Sequence, residues 1–188
     1  MALWYNPTVE FTAEDYIQTS TGNIISREAV ICRPQTVEIP NGRCIICPHV
    51  VIRGDLAPVQ INKYCLIGAR TSLHPCYQFD PVKGLKFIPQ TIGSHCVVGE
   101  DCVVEAAVLG MGCVIEDRCV LSKRCILKDY VKVMEGSVVS PDMVIPPFSI
   151  VAGNPAQIIG EMPESTSTLA PAAAVERYRA YTLVKPSA

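Results

Sequence analysis

Aliphatic side chains recur at every sixth position along the C-terminal half of this chain. From Ile92 they fall at Val98, Val104, Leu109, Ile115, Leu121, Leu127, Val133, Val139, Ile145 and Val151; nine of the ten steps are six residues and one, Val104 to Leu109, is five. An amphipathic helix repeats its apolar positions at three and four, and a hairpin protein turns every eight to twelve residues. Period six fits neither and marks an internal repeat. Two positions before each aliphatic residue stands a more compact one: Cys96, Cys102, Ala107, Cys113, Cys119, Cys125, Val131, Ser137, Met143 and Ser149. Residues two apart on a strand share a face. Each repeat therefore supplies one short strand with a large and a small side chain turned inward. Three such strands close a narrow triangular coil of about eighteen residues, with successive rungs about 4.8 Å apart.

Ile46, Ile52, Ile61, Ile67 and Leu73 continue the pattern upstream less regularly, with one longer step through Asp55–Gln60. The spacing predicts an all-β solenoid over 35–155, interrupted by a loop excursion at 75–89. Residues 1–34 are then an N-terminal segment and cap. A tail at 156–188 carries a helix over about 171–184, with Pro171 near its start.

The inward position also accounts for the thiols. Cys65, Cys96, Cys102, Cys113, Cys119 and Cys125 occupy the compact inward site, where a free cysteine serves as a small polarizable hydrophobe. They are expected to be reduced packing residues, including the adjacent-rung pairs Cys96–Cys113 and Cys102–Cys119. The opening MALWYNPTVEFTAEDY has neither the basic nor the apolar region of a signal peptide, and no apolar run approaches a membrane span. A cytoplasmic chain with reduced thiols is the expectation. A net charge of −2 offers nucleic acid no electrostatic handle.

Outward positions are less ordinary. Val97, Val103, Val108, Val114, Val120, Ile126, Lys132, Val138, Val144 and Ile150 lie between the inward pairs, and nine of these ten are apolar. A helix could cover one face of the coil. Apolar surface on the others marks interaction sites, so the chain is expected to be a component of an assembly.

The repeat resembles the hexapeptide-repeat family, which implies a left-handed parallel β-helix. VIRGDLAPVQI (51–61) resembles the γ-class carbonic anhydrases, zinc enzymes with three histidine ligands shared across a trimer. Aligned through PQTIGSHCVVGEDCVVEAAVLG (89–110), the ligand positions fall on His74, Glu100 and Glu105, and the assisting Gln–Asp pair on Gly68 and Ala69. Zinc and the groups orienting its hydroxide have lost their residues, so no metal and no cofactor is expected. Arg53 and Asp55 then serve structure, as an ion pair between turns. His49 and His95 fall outside the ligand register. GNPA (153–156) also occurs in hexapeptide acyltransferases, where a basic residue commonly follows; here Gln157 does.

A closer resemblance is to the dynactin subunit 5 family of pointed-end β-helix subunits. Tyr16-Ile17, Gly22-Asn23, Ser26-Arg27, IRGDLA (52–57), Lys83-Gly84, Phe87, Pro89, IG-x-H (92–95), EDCVV (100–104), RC-x-LKD (124–129), PPF (146–148) and GE-x-PE (160–164) carry it. The resemblance implies a non-catalytic subunit of the dynactin pointed-end complex that supports cargo or adaptor attachment for dynein on microtubules. Its implied partners are the dynactin subunit 6 homologue, as a β-helix heterodimer, the pointed-end actin-related protein, dynactin subunit 4 and dynein cargo adaptors. Neither nucleic acid nor membrane insertion is implied. Within the excursion, Tyr77, Phe79, Lys83, Lys86 and Phe87 are the candidate partner-binding residues, because exposed aromatics beside cations suit an interface.

Overall fold

The computed structural model describes residues 9–183. Three sheets run the length of a left-handed parallel β-helix. Sheet II, from Ile31 to Val139, and sheet III, from Val37 to Ile145, each contain six strands in parallel, so six coils are stacked. Sheet I, from Ile25 to Val151, carries seven parallel strands and is extended at each end by an antiparallel strand. Registers follow the repeat: Val98 pairs with Ile115, Val104 with Leu121 and Leu109 with Leu127.

Inward aliphatics form one continuous core. Ile46, Ile52, Ile61, Ile67 and Leu73 are fully buried, as are Ile92 through Val151 in the row described above. Each fully buried aliphatic contributes about 1.5–3 kcal/mol against leaving it in water. Corners are two-residue turns whose second residue is left-handed. Tyr64, Arg70, His95, Asp101, Arg118, Arg124, Tyr130, Asp142 and Phe148 all adopt positive φ. A left-handed non-glycine residue costs about 1–2 kcal/mol. Main-chain bonds to the neighbouring rung offset that strain, as where His95 N donates to Lys63 O and Asp101 N to Ala69 O.

The coil begins earlier than the spacing suggested. β1 (Val9–Phe11) and β2 (Tyr16–Gln18) precede β3 (Ile24–Ser26), β4 (Val30–Cys32) and β5 (Val37–Glu38), which make the first coil. Ile25 pairs with Ile46, Ile31 with Ile52 and Val37 with Val59. A 3-10 turn at Pro34–Thr36 and the residues before Cys44 lengthen two steps, which hid this coil from a six-residue count. The excursion is a β-hairpin, Tyr77–Asp80 against Gly84–Phe87.

Helix α1 spans Thr166–Ala180, and Pro171 lies inside it rather than at its start. It stops at Ala180 because Tyr181–Leu183 becomes a strand paired in parallel with β1. The helix lies along the corner that precedes sheet I. Its Tyr178 hydroxyl donates to Gly22 O at 2.5 Å, and the Tyr178 ring meets Tyr64 edge-on at 5.8 Å.

Candidate functional site

The compact inward position does more than fill space. Cys44 Sγ donates to Asn62 O at 2.9 Å, Cys65 to Gly93 O at 3.0 Å and Cys96 to Gly110 O at 3.0 Å. Cys102, Cys113 and Cys119 bond Glu116 O, Lys128 O and Met134 O in the same manner. Each thiol thus reaches a corner carbonyl of the following rung, and Thr71 does the same to Gly99 O. Cys125 shares the burial without such a bond to the next rung among the described residues. All ten cysteines are unbridged, and burial pushes the Cys125 thiol up to about 12. A thiol held protonated is a poor nucleophile.

Of the three positions aligned with zinc ligands, two are brought side by side and the third is not. Leu73 pairs with Val104, which sets His74 and Glu105 side by side on successive rungs. Glu100 lies on the preceding corner, where its carboxylate takes a bond from Arg70 at 2.6 Å. Gly68 stands where the enzymes have glutamine. A Cβ on it would come within 2.5 Å of the Gly99 backbone, so this coil admits no side chain there. Among the described residues, no three His, Cys, Asp or Glu side chains are grouped to hold a metal ion.

Arg53 and Asp55 do pair, in a two-pronged contact at 2.8 and 2.9 Å, but within one stretch of chain and not between turns. The guanidinium holds the Asp55 carboxyl below its usual range. Gly54 between them makes the rung contact instead. Its carbonyl accepts from Thr36 Oγ1 at 2.6 Å, and a Cβ there would strike Val37 at 2.6 Å. The Arg-Gly-Asp stretch therefore seats the first coil on the second. His49 faces Glu28 at 3.5 Å on the surface, while His95 stacks on Tyr64 with ring centroids 5.8 Å apart. Burial, then Lys63, lowers the His95 pKa.

The hairpin is anchored at one end and free at the other. Tyr77 O accepts from Arg124 at 3.0 Å, and Lys123 Nζ donates to the Tyr77 hydroxyl at 2.9 Å. That bond raises the Lys123 pKa. Tyr77 opposes Phe87 and Phe79 opposes Leu85, so all four share one face of the hairpin. Asp80 Oδ1 closes the turn by accepting from the backbone N–H of Val82 and Lys83. Beyond the anchor, Phe79 is 69%, Leu85 56% and Val82 91% exposed. Tyr77 and Phe87 thus act as the base of the hairpin, and Lys83 and Lys86 sit on its exposed part. Val82 and Leu85 escaped the sequence argument, which weighed aromatics and charge but had no means of telling which face docks.

The three outer faces differ. On sheet I, Ile24 and Ile45 are buried beneath Phe11, Tyr16, Tyr178 and Tyr181. Sheet III is polar over Glu38, Gln60 and Thr91, then apolar over Val108, Ile126 and Val144. Sheet II presents Val30, Val51, Ser72, Val103, Val120 and Val138 in one file. All six are partly or fully exposed.

Residues 7–184 match the family model described as dynactin subunit 5. A curated relative, dynactin subunit 5 of Dictyostelium discoideum, is 37% identical over 91 residues, covering 48% of this chain and 44% of that protein. The chain's match therefore spans less than half the length of that relative. Among solved structures, a hexapeptide transferase family protein from Anaplasma phagocytophilum superposes with TM-score 0.65 at 17% identity, over 93% of this chain and 95% of that one. The acetyltransferase domain of PglB from Neisseria gonorrhoeae gives TM-score 0.58 at 15% identity, over 74% of this chain and 58% of that one. At such identities these structures share the fold alone.

Proposed function

The chain belongs to the dynactin subunit 5 family, and on that premise we propose that it is a non-catalytic subunit of the dynactin pointed-end complex. In that role it supports cargo or adaptor attachment for dynein-driven transport along microtubules in the cytoplasm. The observation that carries this is the unsheltered valine file of sheet II beside an anchored hairpin with an exposed apolar end. Surface of that kind is expensive to leave in water and favours a permanent partner. Sheet II is assigned to a second β-helix, the dynactin subunit 6 homologue. The pointed-end actin-related protein and dynactin subunit 4 are the further partners. The hairpin, through Phe79, Lys83 and Lys86 carried on the base of Tyr77 and Phe87, is assigned to adaptors.

Acyl transfer is the second possibility, because the solved structures sharing this fold include acyltransferases. Such chemistry needs a histidine base beside a coenzyme groove. His95 stacks on Tyr64 at a corner and His49 faces Glu28 on the surface, which leaves His74, beside Glu105, as the candidate base.

The test is the native mass of the tagged chain purified gently from cytosol, with its companions identified. A particle containing actin-related proteins is expected. A homotrimer of 20.4 kDa chains, free of companions, would return the enzyme alternatives. For the hairpin, Lys83→Ala with Phe79→Ala, both on its exposed part, should reduce adaptor recruitment and leave assembly intact. Loss of assembly, or unchanged recruitment, would count against the assignment.

A further inference from the structure

The two ends of the coil are finished differently. At the C-terminal end Val139, Ile145 and Val151 are fully buried, although sheets II and III stop there. The strand Ala156–Glu161 turns back across that end, with Ala156 itself buried. At the N-terminal end the inward side chains Ile25, Ile31 and Val37 are only partly buried. They are the counterparts of Ile46, Ile52 and Val59, each of which is completely shielded one rung further on.

β2 makes this end a step rather than a flat stop. It adds one more strand to sheet I, placing Ile17 opposite Ile25. Ile17 is 44% exposed, on the inward side of a level that sheets II and III do not reach among the described residues. β4 and β5 are the last strands of those two sheets. On β4, Val30 N donates to Val50 O in the second coil. Parallel ladders alternate the direction of successive groups, so the Ile31 N–H and C=O point the other way, to where a preceding strand would lie. An apolar wall, an apolar floor and a strand edge unpaired among the described residues meet at one place.

We propose that this open end is a strand-addition site. An extended segment of a different polypeptide, aliphatic at alternate positions, pairs with the β4 edge level with β2 and covers Ile17, Ile25, Ile31 and Val37. Main-chain bonds would hold such a segment and the inward side chains would select it. A second copy of this chain is disfavoured by area. Six residues per side at about 3.3 Å each bound the triangular end at about 170 Å². A stable dimer buries about 800 Å² per partner. The segment must therefore belong to a partner already held elsewhere, which is where this inference rests on the assembly role proposed above.

Hydrogen exchange on the full chain, alone and in its native complex, tests this at Val30–Cys32. The Ile31 amide should exchange freely in the isolated chain and about tenfold or more slowly in the complex. Ile31→Pro removes an N–H that no described residue bonds together with an inward side chain, so Ile31→Ala is its control; edge strands tolerate proline. The proline variant should weaken the complex about tenfold more than the alanine variant does, with similar thermal midpoints for the two isolated chains. If the proline variant fails to fold, Ile17→Glu carries the same test by placing a charge on the apolar wall. Equal exchange in both states overturns the site. So does slow exchange in the isolated chain, which deletion of residues 1–8 and the native mass would trace to the chain's own N-terminus or to a second copy. Slowed Ile31 exchange with companions that are not dynactin subunits would refute the proposed function and keep the site. Free exchange in a chain without companions would end both.

Discussion

Replacing Gln90 with methionine should destabilise the coil far more than a near-isosteric change usually does. Gln90 is 1% exposed, one rung before the rung whose repeat is one residue short. The step from Val104 to Leu109 turns its corner with five residues, and Gln90 Nε2 donates to Val104 O and to Ala106 O, both at 2.9 Å. One side chain of the preceding rung thus serves two buried carbonyls beside the contracted turn. Val104 O keeps its bond from the His74 N–H, so Ala106 O is the acceptor left without a donor. A buried acceptor so orphaned costs about 1–3 kcal/mol. Part of this is returned, because Gln90 Oε1 is itself buried without a partner among the described residues, and methionine removes it. A net loss of about 1–2 kcal/mol follows. In a domain of this size that lowers the thermal midpoint by about 2–8 °C.

Urea and thermal unfolding followed by circular dichroism would measure it, with Gln60→Met as the control. Gln60 occupies the same strand position one residue over, on the outer face, and should move little. Because each coil contacts only its neighbours, the transition could also broaden as cooperativity across the middle rungs falls. A Gln90→Met protein with the parent's midpoint and slope would refute the role assigned to this side chain. Gln90→Glu adds a pH signature. Buried against two carbonyls, the introduced acid folds best protonated, so its folded pKa lies above its unfolded value. Stability would be greatest in acid and lost as pH rises through that folded pKa.

Three other outcomes follow from the same geometry. Cys96→Ala should cost about 1–3 kcal/mol in chemical unfolding, combining lost volume with the orphaned Gly110 carbonyl; a loss below about 0.5 kcal/mol would reduce the thiol to filler. His95 has a folded pKa below its unfolded one, chiefly through burial, so its contribution is fully present above the unfolded pKa and declines as pH falls below it. The midpoint should drop in mildly acidic solution, less so in His95→Asn, which keeps a residue tolerant of positive φ. Tyr77→Ala releases the bonds to Lys123 and removes the ring facing Phe87, so limited proteolysis should cut the hairpin near Val82 sooner while the coil's midpoint stays put.

The coil from Ile46 to Val151 was legible because its period is written in single residues, and each inward position demands the same kind of side chain. The first coil was not, since its 3-10 turn stretches the spacing between Ile31 and Ile39 to eight residues. Pro171 misled for a related reason. Proline favours the first turn of a helix, yet here α1 starts five residues before it, at Thr166. The candidate site was half visible. Aromatics and lysines flagged the excursion, but which of them are spent on anchoring depends on Lys123 and Arg124, two rungs away in the coil and some forty residues along the chain. Arg53 and Asp55 look like a rung-to-rung clamp in sequence. In space the pair closes on itself, and Gly54, the residue with no side chain, makes the rung contact.

A solenoid built this regularly leaves few groups to spare in its interior. Inward thiols are bonded to corner carbonyls, strand amides to the next rung, and left-handed corner amides to the rung before. Binding capacity remains at the breaks in period: the hairpin, which projects Phe79, Val82 and Leu85, and the stepped first coil, which exposes Ile17 beside an unfinished level. The short step at Val104 is a third break, but Gln90 closes it from within. The two breaks left open lie at different heights along the axis, and sheet II runs between them as a valine face interrupted at Ser72. A single small ligand could not engage all three surfaces. A set of protein partners could, each holding one of them, and the loss of any one surface should then weaken assembly without unfolding the coil.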